Sequence, residues 1–167
     1  MAFVAEDGTG RNDANAYTDD GYADAYFGDR GITAWTGDVN VKQQALIRAT
    51  DFIDTVYRGR FRGQKQFPLV QALEFPRTPW PGTVPVLLKK ATCEYALRAL
   101  TGELLPDPET DPSGARLVRR REKVGPLEDE WEWSETGALE IIKRYPAADL
   151  LLKDLLNGAG KGYVIRN

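Results

Sequence analysis

Apolar positions recur at helical spacing in four stretches of the chain, separated by runs rich in Gly, Pro, Asn and Asp. In the longest, Val41, Ala45, Leu46, Ala49, Phe52, Ile53, Val56 and Tyr57 fall on one broad face, while Lys42, Arg48, Asp51 and Asp54 take the wet side. Asn40 suits the N-cap of this helix, Gln43 the reciprocal capping position and Gly59 the stop. A shorter helix is expected after Thr18, with Asp19 and Asp20 against the positive end of its dipole, Tyr22 and Tyr26 one turn apart, and Gly28 to Gly31 ending it. A third opens at Pro85 and runs to about Thr101. Its face of Leu87, Leu88, Ala91, Tyr95 and Ala99 is widened by Cys93, Ala96, Leu97 and Leu100, so it belongs in the centre of a fold or against a neighbouring subunit. The last opens at Pro146, buries Ala148, Leu151, Leu152, Leu155 and Leu156, and ends at Gly158.

Between the third and last helices the period changes. Residues 115–124 and 127–133 read as antiparallel strands joined near Gly125 and Pro126, with Leu127, Trp131 and Trp133 on one parity and Glu128, Glu130 and Glu132 on the other. Arg119, Arg120 and Arg121 then lie roughly opposite the acidic stretch, where cross-strand ion pairs account for much of both charge blocks. Residues 1–17 read as an extended arm or loop, in which Gly8 and Gly10 are turn formers. The long connection from Gly59 to Pro85 is expected to pack through Phe61, Phe67, Phe75 and Trp80. The expected fold is mainly α: a small bundle of about four helices with an inserted antiparallel β-hairpin at about 115–134 and extended terminal arms. One domain covers 1–157, and the tail 158–167 is a segment for partner contact. Its Tyr163, Val164 and Ile165 either add to another protein or fray.

Composition removes several functions. The 167 residues include no histidine and one cysteine, so the commonest neutral-pH acid–base group and metal ligand is absent. Cys93, in an apolar helical pattern, reads as a packed thiol. No cofactor, metal site or catalytic constellation is expected, and the chain reads as a non-enzyme. The acidic residues at 7, 13, 19 and 20 lack the spacing of a calcium loop. No apolar run approaches the ~20 residues of a membrane helix, and the first residues lack signal-peptide features, so no membrane association and a reducing compartment are expected.

Charge is segregated. The net charge is −3, yet residues 1–55 carry −6 and residues 56–99 carry +6. The positive block is densest where Arg58, Arg60 and Arg62 alternate with Gly59, Phe61 and Gly63, followed by Lys65. Three readings stand for this loop: phosphate contact with Phe61 stacking on a base, a contact between subunits, or a solvated loop with Phe61 docked on the core. Trp131 and Trp133 read as ring packing or as a binding platform.

Several segments in order carry a resemblance: FVAEDGTGRNDANAY, ADAYFGDRG, ALIRATDFIDTVYRGRFRG, QALEFPR, KKATCEYALRAL followed by LLPD, and EKVGPLEDE. This series resembles the head-tail adaptor, or head completion, proteins of long-tailed bacteriophages, relatives of which also carry the label DnaT-like single-stranded-DNA-binding protein. The resemblance implies a structural connector in the virion neck, made in the bacterial host cytoplasm. It implies a homo-oligomer, a twelve-subunit ring between the portal protein and a tail-side neck or tail terminator protein, with genomic double-stranded DNA passing through. Subunit or portal contacts would then be Arg58, Arg60, Phe61, Arg62, Lys65, Arg119, Arg120, Arg121, Lys123, Tyr163, Val164, Ile165 and Arg166. Glu128, Glu130, Trp131, Glu132 and Trp133 would belong to the hairpin or channel. The alternative is a single-stranded nucleic-acid-binding, primosome-like protein.

Overall fold

The helix expected after Asn40 spans Val39–Tyr57 (α2) in the computed structural model, which describes residues 2–106, 116–123, 128–134 and 143–158. Its cap is Asp38, not Asn40: the Asp38 carboxylate accepts from the Val41 amide at 2.9 Å. Gly37, at φ 119°, turns the chain into the helix one residue ahead of that cap, which is why it begins earlier than the apolar pattern suggests. Helix α1, Asp20–Gly28, is capped by Asp19, which accepts from the Tyr22 amide at 2.8 Å. Helix α3 covers Val86–Ala99 directly after Pro85, and α4 covers Pro146–Leu152 with a 3-10 turn at Lys153–Leu155.

Helix α3 lies against both α2 and α4, and α1 packs on α2 and α3. That position explains its wide apolar face: Leu88, Ala91, Thr92, Cys93, Tyr95, Ala96 and Ala99 are all buried. Thr92 is tolerated there because its hydroxyl donates to the Leu88 carbonyl at 2.9 Å. Burial pushes the Cys93 thiol up to about 12, the state of an inert packed cysteine. Among the described residues three aromatic groups fill the interior: Phe52, Tyr95 and Tyr145; Tyr17, Phe61 and Phe75; and Tyr26, Phe27 and Trp35. Asp149, on α4, accepts from the hydroxyls of Tyr57 and Tyr95, joining three helices at one carboxylate.

The N-terminal segment is not an extended arm. Glu6, 2% exposed, accepts from the amides of Gly8 and Gly10 at 2.9 Å and of Arg11 at 3.0 Å, which curls the chain around its carboxylate. Gly8 has φ 103° and abuts Gly82, where an added Cβ would lie 2.4 Å from the carbonyl oxygen. Ala14, Ala16, Tyr17 and Thr18 then enter the core. The polar composition that suggested an open arm is used to hold a tight loop closed.

The body formed by residues up to Leu104 and from Arg144 onward contains four α-helices and no strand among the described residues. The expected hairpin insertion is not supported as part of this helical body. Residues 105–143 separate as a second unit, in which the backbones of Arg116–Lys123 and Glu128–Ser134 pair antiparallel. Two strands alone are marginal, and the fold class is mainly helical. Of the expected C-terminal tail, 158–167, residues 159–167 lie outside the described residues.

Candidate nucleic-acid interface

At the end of α2 the chain leaves the helix at Arg58 and turns at Gly59, φ 76°. The alternation that follows sorts side chains by chemistry. Arg58, Arg60 and Arg62 are exposed, whereas Phe61 turns inward and is 1% exposed. Its ring meets Phe75 edge-on at 5.0 Å and Tyr57 at 6.3 Å. Phe61 is thus docked on the core, as the third reading of this loop had it, and its buried ring offers no face to a base or to a second subunit.

The backbone carrying the arginines is fixed from one side by the end of the helical body. Arg62 donates its amide to the Leu155 carbonyl at 2.9 Å, the Asn157 amide donates to the Arg60 carbonyl at 2.7 Å, and Asn157 Nδ2 donates to the Phe61 carbonyl at 3.1 Å.

From the other side it is fixed by Arg77. This guanidinium, on a residue only 6% exposed, donates to the Arg62 carbonyl at 3.1 Å, the Gly63 carbonyl at 2.6 Å and Glu74 Oε2 at 2.7 Å. The planar fork of five donors is what allows one side chain to hold two carbonyls and a carboxylate together. Glu74 also meets Lys65 at 3.3 Å and Arg58 at 3.5 Å. The Arg58 side chain is 73% exposed, so its pair with Glu74 is open to water and weakly held. Arg60 sits over the Tyr57 ring at 5.3 Å, and Arg62 reaches the Asp154 carbonyl at 3.4 Å. Across residues 58–77 five cationic side chains stand against the one carboxylate of Glu74.

Beneath Glu74 lies a buried polar cluster. The Glu74 amide donates to Asp54 Oδ2 and to the Tyr17 hydroxyl, both at 3.1 Å, and Tyr17 donates its own proton to Asp54. Burial pushes the Asp54 carboxyl up to about 6, against the opposing pull of these hydrogen bonds. It also raises the Tyr17 hydroxyl well above its ordinary value, with the Asp54 charge adding to the effect. Asp54 is thus not on the wet face of α2, as its polarity suggests; it pins the 73–77 segment to the helix. Sequence reasoning missed Arg77, Glu74, Asp54 and Tyr17. The available signal was Glu74 and Arg77 three residues apart in QALEFPR, within reach of the basic run only after folding.

The other expected contact residues do not join this site. Arg119, Arg120, Arg121 and Lys123 lie on the first paired stretch of the second unit, and Glu128, Glu130, Trp131, Glu132 and Trp133 on the other. Tyr163, Val164, Ile165 and Arg166 lie outside the described residues.

A mainly helical domain that presents a backbone-fixed cationic loop defines the general class. More particularly, residues 1–167 match the model of the family described as "Putative DnaT-like ssDNA binding protein", and the chain belongs to that family. No curated protein and no solved structure matches it. The match overturns the head-tail adaptor resemblance, and with it the reading as a portal-binding virion connector: the family shown is a DnaT-like one and not a connector family. Ion pairs also form inside the helical body, at Glu74 with Arg77 and Lys65, at Asp24 with Lys42, and at Glu94 with Arg98, each joining residues of one charge block.

Proposed function

We propose that this protein binds single-stranded DNA through the 58–65 loop, without sequence preference and without a chemical step. One observation carries the reading: Arg58, Arg60 and Arg62 project into solvent from a backbone held on one side by Arg77 and on the other by Leu155 and Asn157. Side chains on a fixed backbone meet successive phosphates with less ordering cost than those of a loose tail. Guanidiniums bind phosphate in a planar, two-pronged geometry, and release of counterions supplies affinity that falls with salt. Family membership supports the choice of single strand as ligand.

The paired stretches 116–123 and 128–134 form an accessory unit that does not bind DNA. Support for this is the pairing register, which sets Arg119 opposite Glu132, Arg121 opposite Glu130 and Lys123 opposite Glu128.

Fluorescence anisotropy with a labelled oligothymidylate at low salt tests the proposal. The protein should bind, and the triple variant Arg58→Ala, Arg60→Ala, Arg62→Ala should lose binding while its circular dichroism stays unchanged. Equal binding by wild type and triple variant, or none by either, overturns it.

A further inference from the structure

The loop that carries the cations continues into a rigid turn with an apolar tip. Its stem is tied where the Gln66 amide donates to the Pro76 carbonyl at 3.0 Å and the Thr78 amide to the Gln64 carbonyl at 2.9 Å, with Lys65 bridged to Arg77. At the tip, the Phe67 carbonyl accepts from the amides of Val70 and Gln71, both at 3.0 Å. The Phe67 amide donates to Gln71 Oε1 at 2.8 Å, and Gln71 Nε2 donates to the Leu73 carbonyl at 2.8 Å. The Phe67 ring rests on Gly10, where an added Cβ would lie 2.4 Å from Phe67 Cδ2.

So complete a set of turn bonds leaves apolar side chains bare. Phe67 is 40% exposed, Val70 60% and Leu69 99%. Single exposed apolar residues are ordinary. Three within four consecutive positions on a fixed turn form a contact surface, and nothing in the fold is gained from leaving Leu69 in water.

We infer that this tip is the base-contacting part of the single-strand site: unstacked nucleobases lie against Phe67 and Leu69 while the phosphates run past Arg62, Arg60 and Arg58. The inference rests on the function proposed above and adds a second kind of contact to it. Charge and continuity select this occupant. The stem residue Arg77 itself holds the Arg62 and Gly63 carbonyls, so the apolar tip and the cationic loop are one connected structure. A single strand presents an anionic backbone beside apolar base faces, and a surface that pairs cations with the exposed Phe67 ring and its aliphatic neighbours matches both. Phe61, the aromatic inside the arginine run, is buried and cannot do this. A duplex hides its base faces, so the tip gives preference for single strands.

The full chain is titrated with an oligothymidylate, with an abasic strand of equal length and with a duplex. The oligothymidylate should bind most tightly. Phe67→Ala should weaken it about five- to hundredfold, leave the abasic strand unaffected and leave the salt slope unchanged. Leu69→Trp, at a position too exposed to disturb folding, should add fluorescence that the oligothymidylate quenches and the abasic strand does not. Should Phe67→Ala unfold, the abasic comparison and Leu69→Trp still decide. Equal binding of both single strands with unquenched Leu69→Trp overturns the base contact and leaves phosphate binding standing. No binding of either strand by the wild type overturns both.

Discussion

The guanidinium of Arg77 meets the carboxylate of Glu74 at 2.7 Å with both side chains less than 9% exposed. Removing one partner leaves the other's charge buried, and here it also frees the carbonyls of Arg62 and Gly63. Arg77→Met should therefore lower stability in urea by about 3 kcal/mol. The double variant Arg77→Met, Glu74→Met should lose clearly less than the two single losses combined. Additive losses would show that the pair is not coupled.

Binding electrostatics can be counted one arginine at a time. On a single strand each neutralised phosphate contributes about 0.7 to the slope of log affinity against log salt. Single alanine variants at 58, 60 and 62 should each lower that slope by about 0.7, and the triple variant by about 2. A slope that stays at the wild-type value would place the phosphate contacts elsewhere on the protein.

Asp54 sets a pH dependence of folding. Its carboxyl is raised from 3.8 to about 6 in the fold, so the native state holds the proton more tightly than the unfolded chain. The stabilisation from this group is complete below about pH 4, declines as pH rises toward the folded value near 6, and is constant above it. The difference in unfolding free energy between wild type and Asp54→Asn should fall across that interval by on the order of 2–3 kcal/mol. A pH-independent difference would mean that Asp54 ionises in the fold as it does in water.

Two glycines in the basic loop separate backbone freedom from space. Gly59 and Gly63 both have positive φ, 76° and 70°. An added Cβ at Gly59 meets nothing within 4 Å, whereas at Gly63 it would lie 2.4 Å from Pro79 Cδ and 2.5 Å from Thr78 Oγ1. Gly59→Ala should cost about 1 kcal/mol and Gly63→Ala about 2–3 kcal/mol, read from thermal melts. The reverse order would show that the 78–79 segment yields readily.

The helices were legible because their signals are local. The acidic start of α1 at Asp19 and Asp20, Pro146 at a helix start and the broad face of α3 each depend on residues within a few positions, and the structure places them as read. The site was legible only in part. Arg58, Arg60 and Arg62 stood out by density, but the role of Phe61 depends on Phe75, and that of Arg77 on carbonyls 14 and 15 residues away. Asp54 looked solvated because helical periodicity cannot show that Tyr17 and the Glu74 amide lie over it. The connector reading failed for another reason: the ordered segments that suggested it belong to a chain whose whole length matches a DnaT-like family and not a connector family.

The bonds from Leu155 and Asn157 to the arginine loop span more than 90 positions of sequence. During synthesis, then, the loop emerges long before the residues that give it its shape, and the preceding helices can form while it is still loose. Contacts so distant along the chain come late in folding. The surface proposed to grip DNA is thus set only after residue 157 has been made, which couples the ability to bind to completion of the fold.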